Sequence, residues 1–207
     1  IMSVLRGDQI KIKAIHLTKP KFNVIVLANG KANYDIVKPD TTKPDPNAKV
    51  EPTQFSIGIE SWTITDGFIS YVDQVTPMNA LIVGLNHEGS GDFTQDIFDL
   101  NTQTQVASLS YELDSVSYLS DKQLDAKLVL AMDLKNSKYT FKDNLFKLNE
   151  FAFGFNGFVA MPDTSTIETD MTFEAKETSF KNLLSLVPGI FTKDFDDIKT
   201  DGSIAFK

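Results

Sequence analysis

The chain has 207 residues, of which 42% are hydrophobic, and its formal net charge is −8. Because the lysines are spread along an acidic chain, the composition argues against a nucleic-acid partner, which requires a basic face. The absence of cysteine excludes disulfides, thiolate metal sites and cysteine nucleophiles. No apolar run approaches the roughly 20 residues that span a bilayer, and no signal peptide is visible.

Both ends of the sequence carry patterns of folded structure. The chain opens with Ile1-Met2 inside such a segment, and it stops at "GSIAFK", a strand pattern that follows an Asp201-Gly202 turn. Since a natural terminus rarely cuts through a strand, we expect residues 1–207 to form a single β-rich region of a longer protein.

A short repeat organises the apolar residues, written here as h. The pattern h-x-h-x-x-h-x-h occurs as "IKIKAIHL" (10–17), "IGIESWTI" (57–64), "YELDSVSY" (111–118) and "FKLNEFAF" (146–153). The first two copies continue in step at a constant offset of 47, as far as Val24 and Tyr71. Pro20 then matches Gly67, and each is predicted to lie in a turn between paired strands.

The central x-x of the repeat has two interpretations. Strict alternation would move the second pair of h residues to the other sheet face. A β-bulge at x-x would return them to the first face; alternatively, the strand passes from one layer to another there.

Further alternating segments lie at 124–134, 155–161 and 166–175. Together these patterns predict a mainly β fold of twisted, bent antiparallel sheets that form a groove or an open sandwich. The Pro-rich polar segment 38–54 is typical of a mobile loop within this single region.

One segment, at 179–187, has helical spacing instead. Thr178 or Ser179 can cap its start, and Pro188-Gly189 ends it after about two turns. Two roles stay open: the helix plugs or lines one end of a groove, or it caps a β core. In both cases Leu183→Asp is expected to destabilise the fold, because it would bury an unpaired charge.

Residues for catalysis are scarce. His16 and His87 are the only histidines, and the segment from His87 to Asp96 lacks a second imidazole at ligand spacing. The acidic cluster 194–201 has Ile198 at a position where a calcium loop needs a ligand. The sequence therefore predicts no enzyme, no metal and no cofactor, and points to a binding or structural role.

The order of several segments resembles the AsmA family. "LRGDQIKIKAIHLTKPKFNVIVLANGKANYDI" (5–36) resembles the amino-terminal family pattern "L..G..I.I..I.L..P.....L.DGK.NWDI", with Tyr34 where Trp is common. "FSIGIESWTITDGFISYVDQ" (55–74) looks like the next family element, with Trp62 at an often aliphatic site. "LNHEGSGDFTQDIFDLNTQT", "FNGFVAMPD" and "TSFKNLLSLVPGIFTKDFDDIKTDGSIAF" resemble the later segments of Bacteroidetes versions.

The resemblance implies a setting and a class of function. AsmA-like proteins are bacterial envelope proteins with an inner-membrane helix and a long periplasmic β structure, similar to bridge-like lipid transfer proteins. They are linked to outer-membrane assembly and phospholipid movement, without a cofactor or catalytic residue. The resemblance thus implies a periplasmic chain, anchored to the inner membrane through a helix upstream of Ile1.

Two functions follow as hypotheses. In the first, an apolar sheet face shelters the acyl chains of phospholipid or another lipid. In the second, the chain is an assembly scaffold whose sheet edges pair with client outer-membrane proteins. For the lipid hypothesis, the candidate residues are the h positions of two repeat copies and the apolar helix positions: Ile57, Ile59, Trp62, Ile64, Phe146, Leu148, Phe151, Phe153, Phe180, Leu183, Leu184 and Val187.

Overall fold

The computed structural model describes residues 10–36, 57–163, 165–184, 186–188 and 202–207. The segment 38–54, predicted to be a loop, lies outside these residues. The described elements are β1 (Ile10–Thr18), β2 (Lys21–Val26), β3 (Ile57–Asp73), β4 (Met78–Ser90), β5 (Ile97–Leu113), β6 (Val116–Asp133), β7 (Lys138–Leu148), β8 (Phe151–Ala160), β9 (Glu168–Ser179), α1 (Phe180–Leu184) and β10 (Ser203–Phe206).

The strands form a single open sheet of ten strands, which confirms the prediction of a mainly β fold. The order is β1-β3-β4-β5-β6-β7-β8-β9-β10, and β2 also pairs with β3. From β3 to β10 every pairing is antiparallel. β1 and β2 differ from the antiparallel prediction, since both run parallel to β3.

The sequence offset of 47 is the register of this parallel pairing. Ile10 pairs with Ile57 at the start of β1, and Val24 pairs with Tyr71 in β2. Consequently β1 and β2 are consecutive segments along one side of β3, and no turn reverses the chain between them. The expected turns at Pro20 and Gly67 are therefore wrong: the first is a break between collinear strands, and the second lies inside the continuous strand β3.

The third and fourth repeat copies are β-hairpins rather than bent strands. Their central x-x residues are the two-residue turns 114–115 and 149–150, between β5 and β6 and between β7 and β8. In the second hairpin Leu148 pairs with Phe151, and Phe146 pairs with Phe153. A tight hairpin therefore explains the h-x-h-x-x-h-x-h spacing as well as a bulge does, because it pairs the h residues across two strands and cross-strand partners share a sheet face.

Backbone irregularities, which are positive φ angles and register shifts, occur at neighbouring positions in adjacent strands. Lys19 and Asp66 have positive φ angles of 52° and 53°, and Gly84 and Asp121 have 66° and 51°. In β5 the register with β6 shifts between Val106 and Leu109. Bulged strands bend and twist more strongly, so neighbouring bulges bend the sheet at these positions.

Burial within the described residues is shallow, because the sheet is a single layer. The buried hydrophobic side chains are Leu85, Phe98, Val106, Ala126, Phe151, Ala160 and Ala175. Among the described residues, no large side chain is less than 2% exposed. Most apolar strand residues are thus half-buried, as expected for a sheet face without a second sheet against it.

The helix is shorter than predicted. The Ser179 hydroxyl accepts a hydrogen bond from the Asn182 backbone N–H at 3.1 Å, which confirms Ser179 as the N-cap. The α-helix ends at Leu184 instead of Val187, and the N–H groups of Leu186 and Val187 bond back to the carbonyls of Leu183 and Leu184. Such i to i+3 bonds tighten a helix end into 3₁₀-type turns, which accounts for the early end before Pro188.

Candidate functional site: an apolar sheet face

Cross-strand partners define one face of the sheet, here called the apolar face. Because paired residues point to the same side, each row of partners can be followed from strand to strand. The middle row is Leu17, Ile64, His87, Thr104, Ala126, Phe146 and Phe153. The flanking rows are Ile15, Trp62, Gly89, Thr102 and Leu128, and Gly67, Leu85, Val106, Leu124, Leu148 and Phe151.

Phenylalanine rings cover the carboxyl-terminal part of the apolar face, and this cluster is here called the phenylalanine pavement. The rings of Phe146 and Phe153 stack at 5.8 Å, and Phe155 lies 6.1 Å from Phe173 on β9. Phe141 also contacts Phe155, with ring centroids 5.4 Å apart. The pavement therefore extends across β7, β8 and β9, well beyond the predicted residues of these strands.

A second aromatic cluster lies around Trp62. Its ring packs at 5.9 Å from Phe93, which in turn lies 4.9 Å from Phe98. The indole also covers Gly89, where an added Cβ would lie 2.2 Å from a ring carbon. Glycine is thus required at position 89 for the ring to lie flat against β4.

Polar side chains interrupt the apolar face on β4 and β5. The Thr104 hydroxyl and His87 Nδ1 share a hydrogen bond of 2.8 Å, and the imidazole stacks on Trp62 at 6.2 Å. Burial lowers the pKa of His87, while the Glu88 carboxylate opposes this shift. The lowered pKa favours the neutral imidazole, which suits its place on an apolar surface.

Asn144 joins β7 to β6 through a side-chain hydrogen bond. Its side-chain oxygen accepts a hydrogen bond of 2.6 Å from the Val129 N–H, at a point where the register of the two strands shifts. Asn144 is only 3% exposed, and its side-chain nitrogen is buried without a hydrogen-bond partner among the described residues. The side chain replaces a backbone partner that the shifted ladder does not supply.

Most of the predicted strand residues meet on the apolar face. Trp62, Ile64, Phe146, Leu148, Phe151 and Phe153 belong to its three rows. Ile59 does not belong to these rows. The ladder from β1 to β3 continues without a register shift, so strict alternation places Ile59 on the sheet face opposite to that of Trp62. Ile57 pairs with Ile10 in the backbone, and its side chain is outside the description.

The predicted helix residues lie elsewhere. α1 packs chiefly against β9, where Leu183 and Leu184 are half-buried, and Val187 is exposed beyond the helix. The side chain of Phe180 is outside the description. Because Leu183 is half-buried rather than buried, Leu183→Asp should cost less stability than full burial would imply.

The rows also contain residues that the sequence patterns did not single out, among them Leu85 and Val106. The signal was present but weak. In β5, Phe98, Leu100 and Val106 occupy alternate positions, and Thr102 and Thr104 fill the positions between Leu100 and Val106. The polar members obscured the alternation of this strand.

Two shallow pockets of about 330 Å³ each lie on the sheet. One is lined by Trp62, Gly89, Thr102 and Leu128 with their strand neighbours, and the other surrounds Tyr71, Ala80 and Tyr111. Both are open depressions in one sheet rather than enclosed cavities.

Among the described residues, no three His, Cys, Asp or Glu side chains gather to hold a metal ion. Within the same residues, no helix has the length and apolar character needed to cross a membrane. Comparison with known proteins found no matching family model, curated protein or solved structure.

Proposed function

We propose that this chain binds the acyl chains of phospholipid or a related lipid along its apolar face, without catalysing a reaction. One observation carries the proposal: a row of paired side chains runs unbroken from β1 to β8, and no second layer covers it within the described residues. His87, Thr102 and Thr104 interrupt this surface on β4 and β5, but the rest of it is apolar. An exposed apolar surface of this kind needs a partner or a ligand to remove it from water.

The physical contribution is burial of hydrocarbon. Each methylene of an acyl chain that leaves water for an apolar surface contributes about 0.8 kcal/mol. The phenylalanine pavement and Trp62 offer flat, rigid rings, which bind hydrocarbon with little loss of side-chain entropy. Since the rows are mixtures of aliphatic and aromatic residues, they favour extended chains of variable length over one rigid ligand.

The sequence resemblance to AsmA-like proteins supports the setting of this proposal. In that setting the chain is part of a periplasmic protein anchored to the inner membrane, and it contributes to phospholipid movement and outer-membrane biogenesis. The lipid would then travel along the face rather than remain in a closed pocket.

Native mass spectrometry, followed by organic extraction and lipid mass spectrometry, tests the proposal. We expect phospholipid to accompany the purified chain, and Trp62→Glu and Phe153→Glu to remove it from chains that still fold. Val75→Glu is the matched control, because Val75 lies in the β3–β4 turn and is 56% exposed. A folded chain free of lipid, or loss of lipid in the control alone, would contradict the proposal.

A scaffold that pairs with client outer-membrane proteins remains the second candidate. It is favoured by the position of β1 and β10 at the two ends of the sheet order, where strands can add partners. Such a scaffold would bind an extended client peptide with or without lipid. Peptide binding that survives Phe153→Glu, in a chain that purifies without lipid, would favour this role.

A further inference from the structure

The acidic residues are unevenly distributed along the chain. Residues 10–34 contain no Asp or Glu in a chain whose net charge is −8. This stretch forms β1, β2 and the turn that follows, at one end of the sheet order. Its basic residues, in addition to His16, are Lys11, Lys13, Lys19, Lys21 and Lys31.

Exposed apolar side chains accompany these lysines. Tyr34, the last residue of this stretch, is 57% exposed, and Ile36, two residues later, is 87% exposed. Further exposed members of the same region are Leu17, Phe22, Ile25 and Leu27. We name the whole surface, residues 13–36, the basic edge; it contains one acidic residue, Asp35, and Lys19 lies 3.8 Å from Asp66 of β3.

The turn of the basic edge is held in place by hydrogen bonds. The Leu27 N–H donates to the Lys31 carbonyl at 2.8 Å, and the Ala28 N–H donates to the Gln74 side chain at 3.1 Å. The Gly30 N–H bonds to the Leu27 carbonyl, and Gly30 has the positive φ of 78° that this turn requires. The exposed side chains therefore project from an ordered support.

Part of the strand edge is already occupied. The Asn33 side-chain oxygen accepts the Ile25 N–H at 3.0 Å, and its amide donates to the Asn23 carbonyl at 2.7 Å. The Asn33 N–H also donates to the Ile25 carbonyl. Because Asn33 takes the backbone groups that an added strand would need, β2 is poorly suited to pair with another strand.

We propose that the basic edge docks on the surface of a lipid bilayer that contains anionic lipids. Lysines attract the negative surface, while the adjacent Leu, Ile, Phe and Tyr side chains enter the headgroup region. If the edge carried only lysines, their role could be to prevent aggregation through the sheet edge. Exposed apolar side chains beside them would defeat that purpose, but they suit a membrane interface. Leu17 also belongs to the middle row of the apolar face, so the bilayer contact adjoins the proposed acyl-chain site.

Flotation with vesicles tests the proposal. The chain is mixed at low salt with vesicles of equal parts phosphatidylglycerol and phosphatidylcholine, or of phosphatidylcholine alone. We expect binding to the anionic vesicles that weakens as salt is added. The triple variant Lys13→Glu, Lys21→Glu, Lys31→Glu should bind at least roughly 100-fold more weakly, since loss of each lysine near such a surface removes a factor of about five and each glutamate adds repulsion.

The matched control reverses three lysines on other strands and turns: Lys127→Glu, Lys135→Glu and Lys147→Glu. It changes the net charge equally, so retained binding in the control assigns the contact to the basic edge. The double variant Leu27→Ser, Tyr34→Ser should also weaken binding, which tests the apolar part. Circular dichroism verifies that each variant folds.

Three results would overturn the proposal. The first is absence of binding to anionic vesicles by the unaltered chain. The second is an equal loss in both triple variants, which would reflect net charge alone. The third is a lysine-dependent dimer in sedimentation without vesicles, which would assign the basic edge to a second copy of the chain. Loss of vesicle binding with retention of co-purified lipid separates this proposal from the acyl-chain site.

Discussion

At the scale of single residues, Gly89 on the apolar face determines where the large side chain of Trp62 lies. Trp62 lies flat over Gly89, and its ring meets Phe93 on one side and His87 on the other. The absence of a Cβ at position 89 is thus what allows the aromatic cluster to form on this face of the sheet. Steric fit, rather than backbone freedom, explains this glycine, because no positive φ is found there.

Gly89→Ala is therefore expected to displace the indole of Trp62. The added methyl group would lie 2.2 Å from a ring carbon, and overpacking of this kind costs about 1–3 kcal/mol. Chemical denaturation measures the loss, and tryptophan emission reports the new environment of the ring. In a Trp62→Leu background the same substitution should cost much less; an equal cost in both backgrounds would refute the steric explanation.

At the scale of elements, one apolar spacing serves two kinds of local structure. In β1 and β3 the repeat lies within strands, whereas in the later copies its centre is a tight turn. The turn at Asp114-Ser115 has φ angles of 49° and 64°. Two positive values identify a type I′ hairpin, for which glycine is preferred at the second position.

Ser115→Gly should consequently stabilise the β5–β6 hairpin. Glycine adopts a φ of 64° without the cost that serine bears, so we expect the free energy of unfolding to rise by about 0.5–1 kcal/mol. Ser117→Gly is the comparison, since Ser117 lies inside β6 and its hydroxyl faces the Leu119 carbonyl at 3.4 Å. Thermal unfolding of both variants decides the matter: destabilisation by Ser115→Gly would argue against the type I′ turn.

At the scale of the whole molecule, the residues that the structure describes form a long accessible face and no closed core. A single sheet of ten strands presents rows of half-buried apolar residues instead of enclosing them. Its stability therefore rests on hydrogen-bonded ladders and on contacts between neighbours in the sheet. The proposed acyl-chain site uses this face, and the basic edge lies at one end of the same sheet.

This architecture predicts that the native chain binds a hydrophobic dye such as anilinonaphthalene sulfonate at neutral pH. A long-chain fatty acid should displace the dye, because both occupy the apolar face. Near-UV circular dichroism must remain native, which distinguishes an open folded face from a molten globule. Phe153→Glu should reduce dye binding, whereas no dye binding by the unaltered native chain would contradict the open face.

Much of this architecture follows from local patterns in the sequence. The alternation of apolar residues predicts the strands, Ser179 predicts the helix start, and the offset of 47 matches the register of β1 and β2 against β3. These features are local, or they repeat a local pattern, so single-sequence reasoning reaches them. Trp62, Phe146 and Phe153 were likewise identifiable as members of an apolar surface.

The sequence by itself therefore determined that the chain forms strands, which residues alternate, and where the short helix begins. Only the tertiary structure decided that the centre of the repeat is a turn at 114–115 and 149–150, and that Ile59 faces away from Trp62. It also decided that Lys13 to Ile36 form one basic and apolar edge. The physical reason is that alternation specifies a face within one strand, whereas hydrogen bonds between distant segments choose the partner strand and its register.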